Sequence, residues 1–288
     1  MASKVAIITG GASGMGLAVA QALAERGNWT THILDLNEES GKEVASKLRN
    51  TVFHRADVAD YAAQASAFKS AFIASGRRLD FVFANAGVIE KKNFYAKHET
   101  GDEPPPSPDL LSIDVDLKGV VYTSYLAVHY FRQSPKEGRD ASLVLTASCG
   151  SLYPADYSPM YTAAKHGVLG FLRSIASHCR LDDIRANAIC PGIVETNLVG
   201  PGGWSNFPRD LFTPVSQIVD VVLQLIDGSD LLDANGVQVS AGKAYGQAVE
   251  INLDKHYIRT VPDFCDDAMK GIMEATSVEN QKGGVIKD

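Results

Sequence analysis

The chain has 288 residues, of which 45% are hydrophobic, and its formal net charge is -7. A chain of this length and composition can bury a full core, and we expect one domain over residues 1–288. The acidic balance and the absence of a run of Lys or Arg exclude nucleic acid as a partner, and no stretch approaches the roughly 18 apolar residues of a membrane span.

Short β-branched runs alternate along the chain with segments of helical periodicity. The predicted strands cover residues 5–9, 30–36, 51–55, 81–84, 142–146, 185–189 and 248–251. The predicted helices cover residues 16–26, 38–49, 61–75, 110–131, 161–180 and 216–226. This alternation predicts an α/β fold in which helices flank a doubly wound, roughly seven-stranded parallel sheet.

Irregular segments interrupt this alternation. Residues 98–108 contain too many prolines to continue a helix or to pair as a central strand, so they are predicted to form a surface loop. A glycine-rich stretch that contains Trp204 and Phe207 is interpreted as part of a lid over a substrate, at about residues 196–215. The segment of about 255–288 is predicted to be a variable tail with a polar, frayed end.

A glycine-rich turn follows the first predicted strand directly. Residues 9–16 read T-G-G-A-S-G-M-G, and the residues after them have a helical pattern. Glycines here let the backbone turn tightly and approach a pyrophosphate, which would sit at the positive N-terminal end of the helix. A turn that is rich in glycine for geometry alone is the alternative. The predicted dinucleotide-binding residues of this turn are Gly10, Ser13, Gly14, Met15 and Gly16.

An acidic residue ends the second predicted strand, 19 positions after Gly16. Asp35 can there accept hydrogen bonds from both hydroxyls of an adenosine ribose, and its charge would repel a 2'-phosphate. Neither Ser13 nor the adjacent Leu36 supplies a cation for such a phosphate, so the sequence favours NAD over NADP. The alternative for Asp35 is a helix cap for the turn that follows. Asp57, with Val58 beside it, is predicted to bind the adenine amino group or to be a turn residue.

Three motifs resemble those of the short-chain dehydrogenase/reductase family. The glycine turn has the family's T-G-x-x-x-G-x-G spacing, residues 85–87 read N-A-G, and residues 191–196 read P-G-I-V-E-T. The stretch of residues 104–120 is similar to the branch related to 15-hydroxyprostaglandin dehydrogenase. The resemblance implies a Rossmann-type fold in which Asn85 stabilises the central sheet and the adjacent cofactor contact. The other cofactor-binding residues that it implies are Ala86, Gly87, Pro191, Gly192, Ile193 and Thr196.

Tyr161 and Lys165 lie four residues apart in a predicted helix, so they stack on the same face, one turn apart. A tyrosine with a pKa near about 10 is a poor base at neutral pH, and a nearby cation favours the phenolate. We therefore expect Lys165 and the positive nicotinamide of NAD⁺ to lower the pKa of Tyr161. This Tyr-x-x-x-Lys pair is the only one in the chain, and it follows the fifth predicted strand, which distinguishes it from a solvated helix face.

Ser148 follows the fifth predicted strand, where its hydroxyl can point into a crevice and donate to a substrate oxygen. It precedes Tyr161 by 13 residues, which is the family's spacing for its catalytic serine. A simple turn serine is the alternative, and Ser151 is the nearest rival. The predicted mechanism has Tyr161 remove the hydroxyl proton, Ser148 hold the oxygen and the hydride pass to the nicotinamide, while Lys165 binds the ribose and relays the proton.

One position departs from the family's pattern. Residues 115–120 read V-D-L-K-G-V, where the family has V-N-L-x-G-V, so Asp116 stands in place of an asparagine. The family's asparagine holds a water that continues the proton relay from the lysine. Asp116 could hold that water, or as a carboxylate it could stabilise Lys165 as a cation or pair with another group. We include Asp116 in the predicted catalytic site.

The substrate is expected to be a hydrophobic small molecule. An apolar wall around the crevice suits such a molecule better than a sugar phosphate, and prostaglandin-like, steroid, terpenoid and polyketide alcohols all fit. The predicted substrate residues are Ser148, Leu152, Tyr153, Tyr157, Trp204 and Phe207.

Weaker signals concern location, metals and assembly. The four cysteines form no C-x-x-C pair, which indicates free thiols and favours a cytoplasmic location. The histidines have no metal-ligand spacing, so no metal is predicted. The small residues of the helix over 161–180 predict close packing against a neighbour, and the family often builds a dimer interface there, which implies a homodimer or homotetramer.

Two alternatives to an NAD-dependent dehydrogenase stay open. An NADPH-dependent ketoreductase would tolerate Asp35→Ser with little loss of NADH use. An NAD-binding regulator would keep the fold and lose turnover through Asp116, although intact Ser148, Tyr161 and Lys165 argue against that loss.

Overall fold

The computed structural model describes residues 4–98, 102–135, 140–200, 202–205 and 207–281. Its strands are β1 (Lys4–Thr9), β2 (Trp29–Asp35), β3 (Thr51–Arg55), β4 (Phe81–Ala84), β5 (Ala141–Thr146), β6 (Ile184–Pro191), β7 (Leu231–Leu232), β8 (Gln238–Val239), β9 (Ala248–Asn252) and β10 (Lys255–Arg259). Its helices are α1 (Gly14–Arg26), α2 (Glu38–Lys47), α3 (Tyr61–Ala74), α4 (Gly119–Gln133), α5 (Pro159–Leu181), α6 (Val215–Asp227) and α7 (Asp267–Ala275). A π-helical segment, Ile113–Lys118, leads directly into α4.

Eight strands form one sheet in the order β10-β9-β6-β5-β4-β1-β2-β3. All neighbouring pairs from β9 to β3 are parallel, which confirms the predicted α/β class and the doubly wound sheet. The sheet has eight strands rather than about seven because β10 adds a strand at the edge. The turn between β9 and β10 contains Leu253 at a φ of 55°. Since leucine is not a typical residue for a left-handed turn, the sequence carried no hairpin signal there.

The side chains of β1 alternate between two cores, one on each face of the sheet. Val5 and Ile7 pack in the core that includes buried residues of α3, α4 and α5. Ala6 and Ile8 pack in the other core, with α1 and α6. Coverage on both faces explains why the parallel strands are continuous apolar runs. Each buried Leu, Ile or Phe side chain stabilises the fold by roughly 1.5–3 kcal/mol.

The strand order reverses its direction at β1 and β4. From β1 the chain proceeds outward through β2 to β3, and it then returns to β4 on the other side of β1. In open α/β sheets a crevice opens at the carboxyl ends of the strands at such a switch point. The segments after β1 and β4 are the glycine turn and the N-A-G motif, so the topology brings these two predicted binding motifs together.

The irregular segments follow the predictions in part. Residues 102–108 form no helix or strand, while residues 99–101 of the predicted loop, 201 and 206 of the predicted lid and 282–288 of the predicted tail lie outside the described residues. The chain divides into two compact units between Ile258 and Arg259, and the second unit contains α7. A two-stranded antiparallel pair of β7 and β8 was also not predicted, because two-residue strands carry no periodicity.

Candidate active site

A crevice of about 600 Å³ opens at the carboxyl ends of the central strands. Every predicted site residue lines it except Gly16, Leu152, Tyr153 and Tyr157. Further lining residues that the sequence analysis missed include Val88, Ile89, Val115, Cys149 and Leu198. Val88 and Ile89 follow the N-A-G motif directly, so their position in the sequence was a signal that could have indicated them.

The glycine turn shapes the floor of the crevice where α1 begins. Gly10 and Gly14 adopt φ angles of 66° and 52°, which L side chains rarely adopt. A Cβ at Gly16 would lie 2.3 Å from the carbonyl oxygen of Gly10, so Gly16 serves close packing within the turn. Ser13, at the N-cap of α1, makes no side-chain capping hydrogen bond, and the first turn of α1 has no acidic residue. The helix N-terminus therefore presents N–H groups and a positive dipole end that fit an anionic pyrophosphate.

Asp35 lies at the carboxyl end of β2, beside the glycine turn. Its two oxygens accept hydrogen bonds from the N–H groups of Ala12 and Asn37, each at 3.0 Å. The N-cap of α2 is Asn37, whose own side chain accepts from Ser40, so the alternative of Asp35 as that helix cap is not what the structure has. Each carboxylate oxygen keeps a second lone pair, so Asp35 can still accept from ribose hydroxyls. Asp57 lines the same end of the crevice and accepts from Ala59 N–H in a turn.

Asn85 joins three strands behind the crevice. Its Nδ2 donates to the carbonyl oxygens of Thr9 at 3.2 Å and Gly10 at 3.4 Å, and its Oδ1 accepts from the Thr146 hydroxyl at 3.3 Å. These bonds connect the ends of β1, β4 and β5. They are the contacts that a residue stabilising the central sheet would make.

The groups implicated in chemistry come together on α5 and on the loop after β5. Lys165 Nζ lies 5.5 Å from the ring centre of Tyr161 and donates to the carbonyl oxygen of Thr146 at 2.9 Å. A Cβ atom added at Gly150 would lie 3.5 Å from Ser148 Oγ and 3.6 Å from Tyr161 Cε1. The serine hydroxyl and the tyrosine ring therefore lie next to the same position. Tyr161, Lys165 and Ser148 all line the crevice, as expected for a proton-transfer site.

Ser148 and Ser151 differ in their hydrogen-bond partners and in the direction of their hydroxyl groups. Ser148 Oγ accepts from Gly150 N–H at 3.1 Å and reaches the crevice. Ser151 Oγ accepts from Ser148 N–H and donates to the carbonyl oxygen of Lys165 at 2.7 Å. Ser151 thus ties the loop to α5, and Ser148 is the serine that faces the crevice.

Burial dominates the acidity of Tyr161. Removal from water raises the pKa of the phenol above its ordinary value, and the Asp116 charge acts in the same direction. The Lys165 charge and a hydrogen bond with Ser148 oppose this rise. The effect of Lys165 thus has the predicted direction, but in the protein without nicotinamide it is smaller than the effect of desolvation, so the net pKa of Tyr161 is raised.

Asp116 lies in the π-helical segment and is fully buried at 0% exposure. Its Oδ1 accepts from Val88 N–H at 2.8 Å, and its Oδ2 lies 3.4 Å from Lys165 Nζ. Burial raises the pKa of Asp116 above its ordinary value, because the opposing effects of Lys165 and the Val88 N–H are smaller. Burial acts to lower the pKa of Lys165, but Asp116 and Tyr161 raise it by more, so the net pKa of Lys165 is above its ordinary value.

The segment after β6 forms the opposite wall of the crevice. Pro191, Gly192, Ile193 and Thr196 line it, and a Cβ at Gly14 would lie 3.2 Å from Thr196 Cγ2. Trp204 Nε1 donates to the carbonyl oxygen of Thr196 at 3.0 Å. This wall therefore lies directly against the glycine turn.

Three predicted substrate residues do not line the crevice. Tyr153 turns its hydroxyl to Glu250 on β9, at 3.2 Å, and the side chain of Tyr157 is 95% exposed. Leu152 packs against the core that contains α3, α4 and α5. Their positions depend on the short helical turn Cys149–Ser151, which redirects the chain after Ser148 and which the sequence pattern did not indicate.

Neither a cluster of metal-ligand side chains nor a membrane-spanning helix occurs in the part of the chain that the structure describes. No group of three or more His, Cys, Asp or Glu side chains there could hold a metal ion. None of its helices is long and apolar enough to cross a bilayer.

Comparisons with known proteins agree with this geometry. The family model of the short chain dehydrogenases matches residues 4–202. Over 281 residues, the chain is 53% identical to the short-chain dehydrogenase/reductase prx7 of Penicillium rubens, and the match covers 94% of this chain and 99% of prx7. Over 205 residues, it is 32% identical to the 15-hydroxyprostaglandin dehydrogenase of Homo sapiens, whose name specifies NAD(+), with 68% of this chain and 70% of that protein covered.

A solved structure shows the same fold. The crystal structure of the 3-ketoacyl-(acyl-carrier-protein) reductase from Brucella melitensis, complexed with NADH, matches with a TM-score of 0.71 at 21% identity. The match covers 86% of this chain and 96% of that one.

Proposed function

Because the chain belongs to the short-chain dehydrogenase/reductase family of oxidoreductases, we propose that it is an NAD-dependent dehydrogenase that oxidises a secondary alcohol of a hydrophobic small molecule. One observation carries this proposal. Ser148, Tyr161 and Lys165 converge in the crevice that the glycine turn borders. A hydroxyl donor, a phenol and an ammonium in that arrangement suit proton transfer to and from an alcohol.

The charges that line the crevice support NAD rather than NADP. Asp35 and Asp57 lie at one end of it, and Lys165 is the only Lys, Arg or His among the described lining residues. A 2'-phosphate beside Asp35 would meet a negative charge and no cation. The glycine turn and the unblocked N-terminus of α1 would hold the pyrophosphate, and Lys165 and Thr196 would hold the nicotinamide half.

The proposed chemistry uses the side chains as follows. A nicotinamide cofactor, when bound, supplies the hydride acceptor. Ser148 holds the substrate oxygen through its hydroxyl, and Tyr161 as phenolate takes the hydroxyl proton. Lys165 holds a positive charge beside the phenol, 5.5 Å from the ring centre, and thereby favours the phenolate.

The remaining lining residues support an uncharged, hydrophobic substrate. The apolar side chains around Ser148 and Tyr161 include Val88, Ile89, Ile193, Leu198, Trp204 and Phe207. Among the described lining residues no cation is left to bind a carboxylate or a phosphate, because Lys165 is paired with Asp116. Neutral steroid, terpenoid, polyketide or prostaglandin-like alcohols fit this wall.

The proposal extends to the lid, the assembly and the location. A lid over about residues 196–215 is supported by Trp204 and Phe207, which line the crevice. A homodimer or homotetramer is supported by the small residues of α5. A cytoplasmic location is supported by the four cysteines, all of which are free thiols. A single catalytic domain is supported by the family match over residues 4–202.

The test is turnover by the purified protein with NAD⁺ or NADP⁺ and a panel of hydrophobic secondary alcohols, each paired with an analogue that carries a carboxylate. We expect NADH to form with neutral alcohols, and we expect Tyr161→Phe to lower kcat by about 100-fold or more while NADH binding persists. Tyr125→Phe, an exposed tyrosine on α4, is the matched control. Turnover by Tyr161→Phe at the wild-type rate would overturn the assigned base, and tight NADH binding without turnover of any alcohol would favour a regulator.

A further inference from the structure

The environment of Asp116 contains two hydrogen-bond donors, the Val88 N–H and the Lys165 ammonium. Oδ1 faces the Val88 N–H at 2.8 Å, and Oδ2 faces the Lys165 ammonium at 3.4 Å. Oδ2 is buried and makes no hydrogen bond with a described residue. A protonated acid would need an acceptor for its own O–H, and Oδ2 has no such partner among the described residues. The donor set therefore fits the ionised carboxylate.

An amide fits the same position poorly. If the oxygen of an asparagine accepted from Val88, its NH₂ group would face the ammonium of Lys165. If the amide were reversed, its NH₂ group would face the Val88 N–H. Either orientation places two donors against each other in a site from which water is largely removed, where such mismatches are costly. In this chain the two donors thus favour a carboxylate over an amide at position 116.

We propose that Asp116 is a positioning residue that serves as a buried counter-ion for Lys165, and that it gives the oxidation reaction a more alkaline pH dependence than an amide would. This inference rests on the proposed role of Tyr161 as the base. The carboxylate offsets part of the positive charge that otherwise favours the phenolate. The enzyme then needs a higher pH before Tyr161 can accept the substrate proton.

The other charged and titratable groups around this pair do not replace Asp116. Lys165 itself is 2% exposed and is held by the Thr146 carbonyl. Glu90 contacts α5 through a hydrogen bond from the backbone N–H of Tyr161. The groups that act on the pKa of Tyr161 or Lys165 besides these are the thiols Cys149, from the loop after β5, and Cys190, from β6. Burial raises the pKa of Cys190 to about 12, so it stays neutral.

The position of Lys165 between Asp116 and Tyr161 determines how far Asp116 is expected to shift the pKa of Tyr161. Asp116 Oδ2 lies 3.4 Å from Lys165 Nζ, which in turn lies 5.5 Å from the ring centre of Tyr161. An adjacent charge shifts a pKa by about 1–3 units, and a charge one residue farther away acts at the lower end of that range. We expect Asp116→Asn to move the titration of Tyr161 downward by roughly one pH unit.

The experiment follows Tyr161 directly, in protein labelled with ¹³Cζ-tyrosine and without added cofactor. The Tyr161 signal is assigned by its loss in Tyr161→Phe, and its chemical shift is recorded against pH in wild type, Asp116→Asn and Asp114→Asn. Asp114 is the matched control, because it lies in the same π-helical segment but forms a half-exposed surface pair with Lys118. The same shift is expected in the pH profile of kcat/KM with NAD⁺, where the midpoint moves and is read separately from the plateau rate.

The proposal is supported if the midpoint of the Tyr161 titration is lower in Asp116→Asn and unchanged in Asp114→Asn. An unchanged midpoint in Asp116→Asn overturns it. If Asp116→Asn does not fold, the carboxyl ¹³C shift of Asp116 in the wild type decides. An ionised carboxylate at neutral pH supports the proposal, and a protonated acid overturns it. Because the titration needs no turnover, its failure is distinct from a failure to find an alcohol substrate.

Discussion

The carboxylate of Glu90 accepts a hydrogen bond from the backbone N–H of Tyr161, with 2.9 Å between Oε2 and N. Tyr161 is the third residue of α5, so its N–H is one of the four that have no partner inside the helix. Ser158 at the N-cap makes no side-chain capping bond. Glu90, from the loop after β4, therefore caps the helix that carries both Tyr161 and Lys165.

This relationship predicts that Glu90→Ala both destabilises the protein and slows turnover. Loss of the cap and of a negative charge at the positive helix end costs about 1 kcal/mol in the free energy of unfolding. Glu90→Gln keeps an acceptor oxygen and should retain most of the stability. Urea unfolding and kcat measure the two effects, with exposed Glu43→Ala on α2 as the control. If Glu90→Ala unfolds at the same urea concentration as the wild type, the capping role is wrong.

The contact between Glu90 and Tyr161 is one that could not be predicted from the sequence. Tyr161, Lys165 and Ser148 could be predicted because their relation depends on local spacing along one helix and one strand end. Glu90 lies 71 residues before Tyr161, and no spacing rule connects them. The contact exists because β4 and β5 are neighbours in the sheet, which places the loop after β4 beside the start of α5.

The fold shows the same division between local and long-range information. The seven parallel strands were predictable because buried runs of β-branched residues alternate with helices. β10 was not, because the turn before it has no typical hairpin residues, and β7 and β8 were not, because two-residue strands carry no periodicity. The side chains of Tyr153 and Tyr157 were misplaced because their direction is set by the turn Cys149–Ser151 and by the bond between Tyr153 and Glu250.

Asp35 should set the choice of cofactor. Asp35→Ser removes the carboxylate that we expect to bind the ribose hydroxyls, so KM for NAD⁺ should rise by about tenfold or more, while KM for NADP⁺ falls. Asp35→Asn removes the charge but keeps one oxygen for the Ala12 N–H, and it thereby separates cofactor recognition from support of the glycine turn. Steady-state kinetics with both cofactors measure the change. A Ser variant with unaltered use of NADH would support the ketoreductase alternative.

A histidine pair, of which His32 is buried and His54 half-buried, should make stability depend on pH. His32 Nδ1 lies 2.9 Å from His54 Nε2, and His32 Nε2 lies 2.8 Å from Ser75 Oγ. Burial, and to a lesser extent the His54 charge, lowers the pKa of His32 to about 4 from 6.5. Between these two values the unfolded chain binds a proton that the folded protein excludes, so stability falls as the pH drops from about 6.5 to about 4.

The loss reaches about 3 kcal/mol at the acid end of this window, because each unit of pKa difference is worth about 1.4 kcal/mol. The pH slope of the free energy of unfolding should be shallower in His32→Gln than in the wild type, whatever the change in absolute stability. His166→Gln, at an exposed position on α5, should keep the wild-type slope. Urea unfolding at several pH values provides the measurement. Equal slopes in all three proteins would contradict the role of His32.

Trp204 should report cofactor binding by fluorescence. The chain has two tryptophans, and the other, Trp29, is buried in β2. Trp204 lines the crevice and donates to the Thr196 carbonyl, and Thr196 lies against the glycine turn at Gly14. In a Trp29→Phe protein we expect NADH to quench the emission of Trp204 in a saturable way, because the bound nicotinamide and the indole would share one crevice.

The matched variant is Trp204→Phe, in which Trp29 is the remaining emitter. Trp29 lies at the start of β2, whereas the crevice opens at the other end of that strand, so its emission should change less on addition of NADH. Calorimetry provides an independent measure of binding in both proteins. If calorimetry detects NADH while the emission of Trp204 stays constant, Trp204 does not lie over the bound cofactor. The proposed lid would then have to be assigned to other residues of the segment after β6.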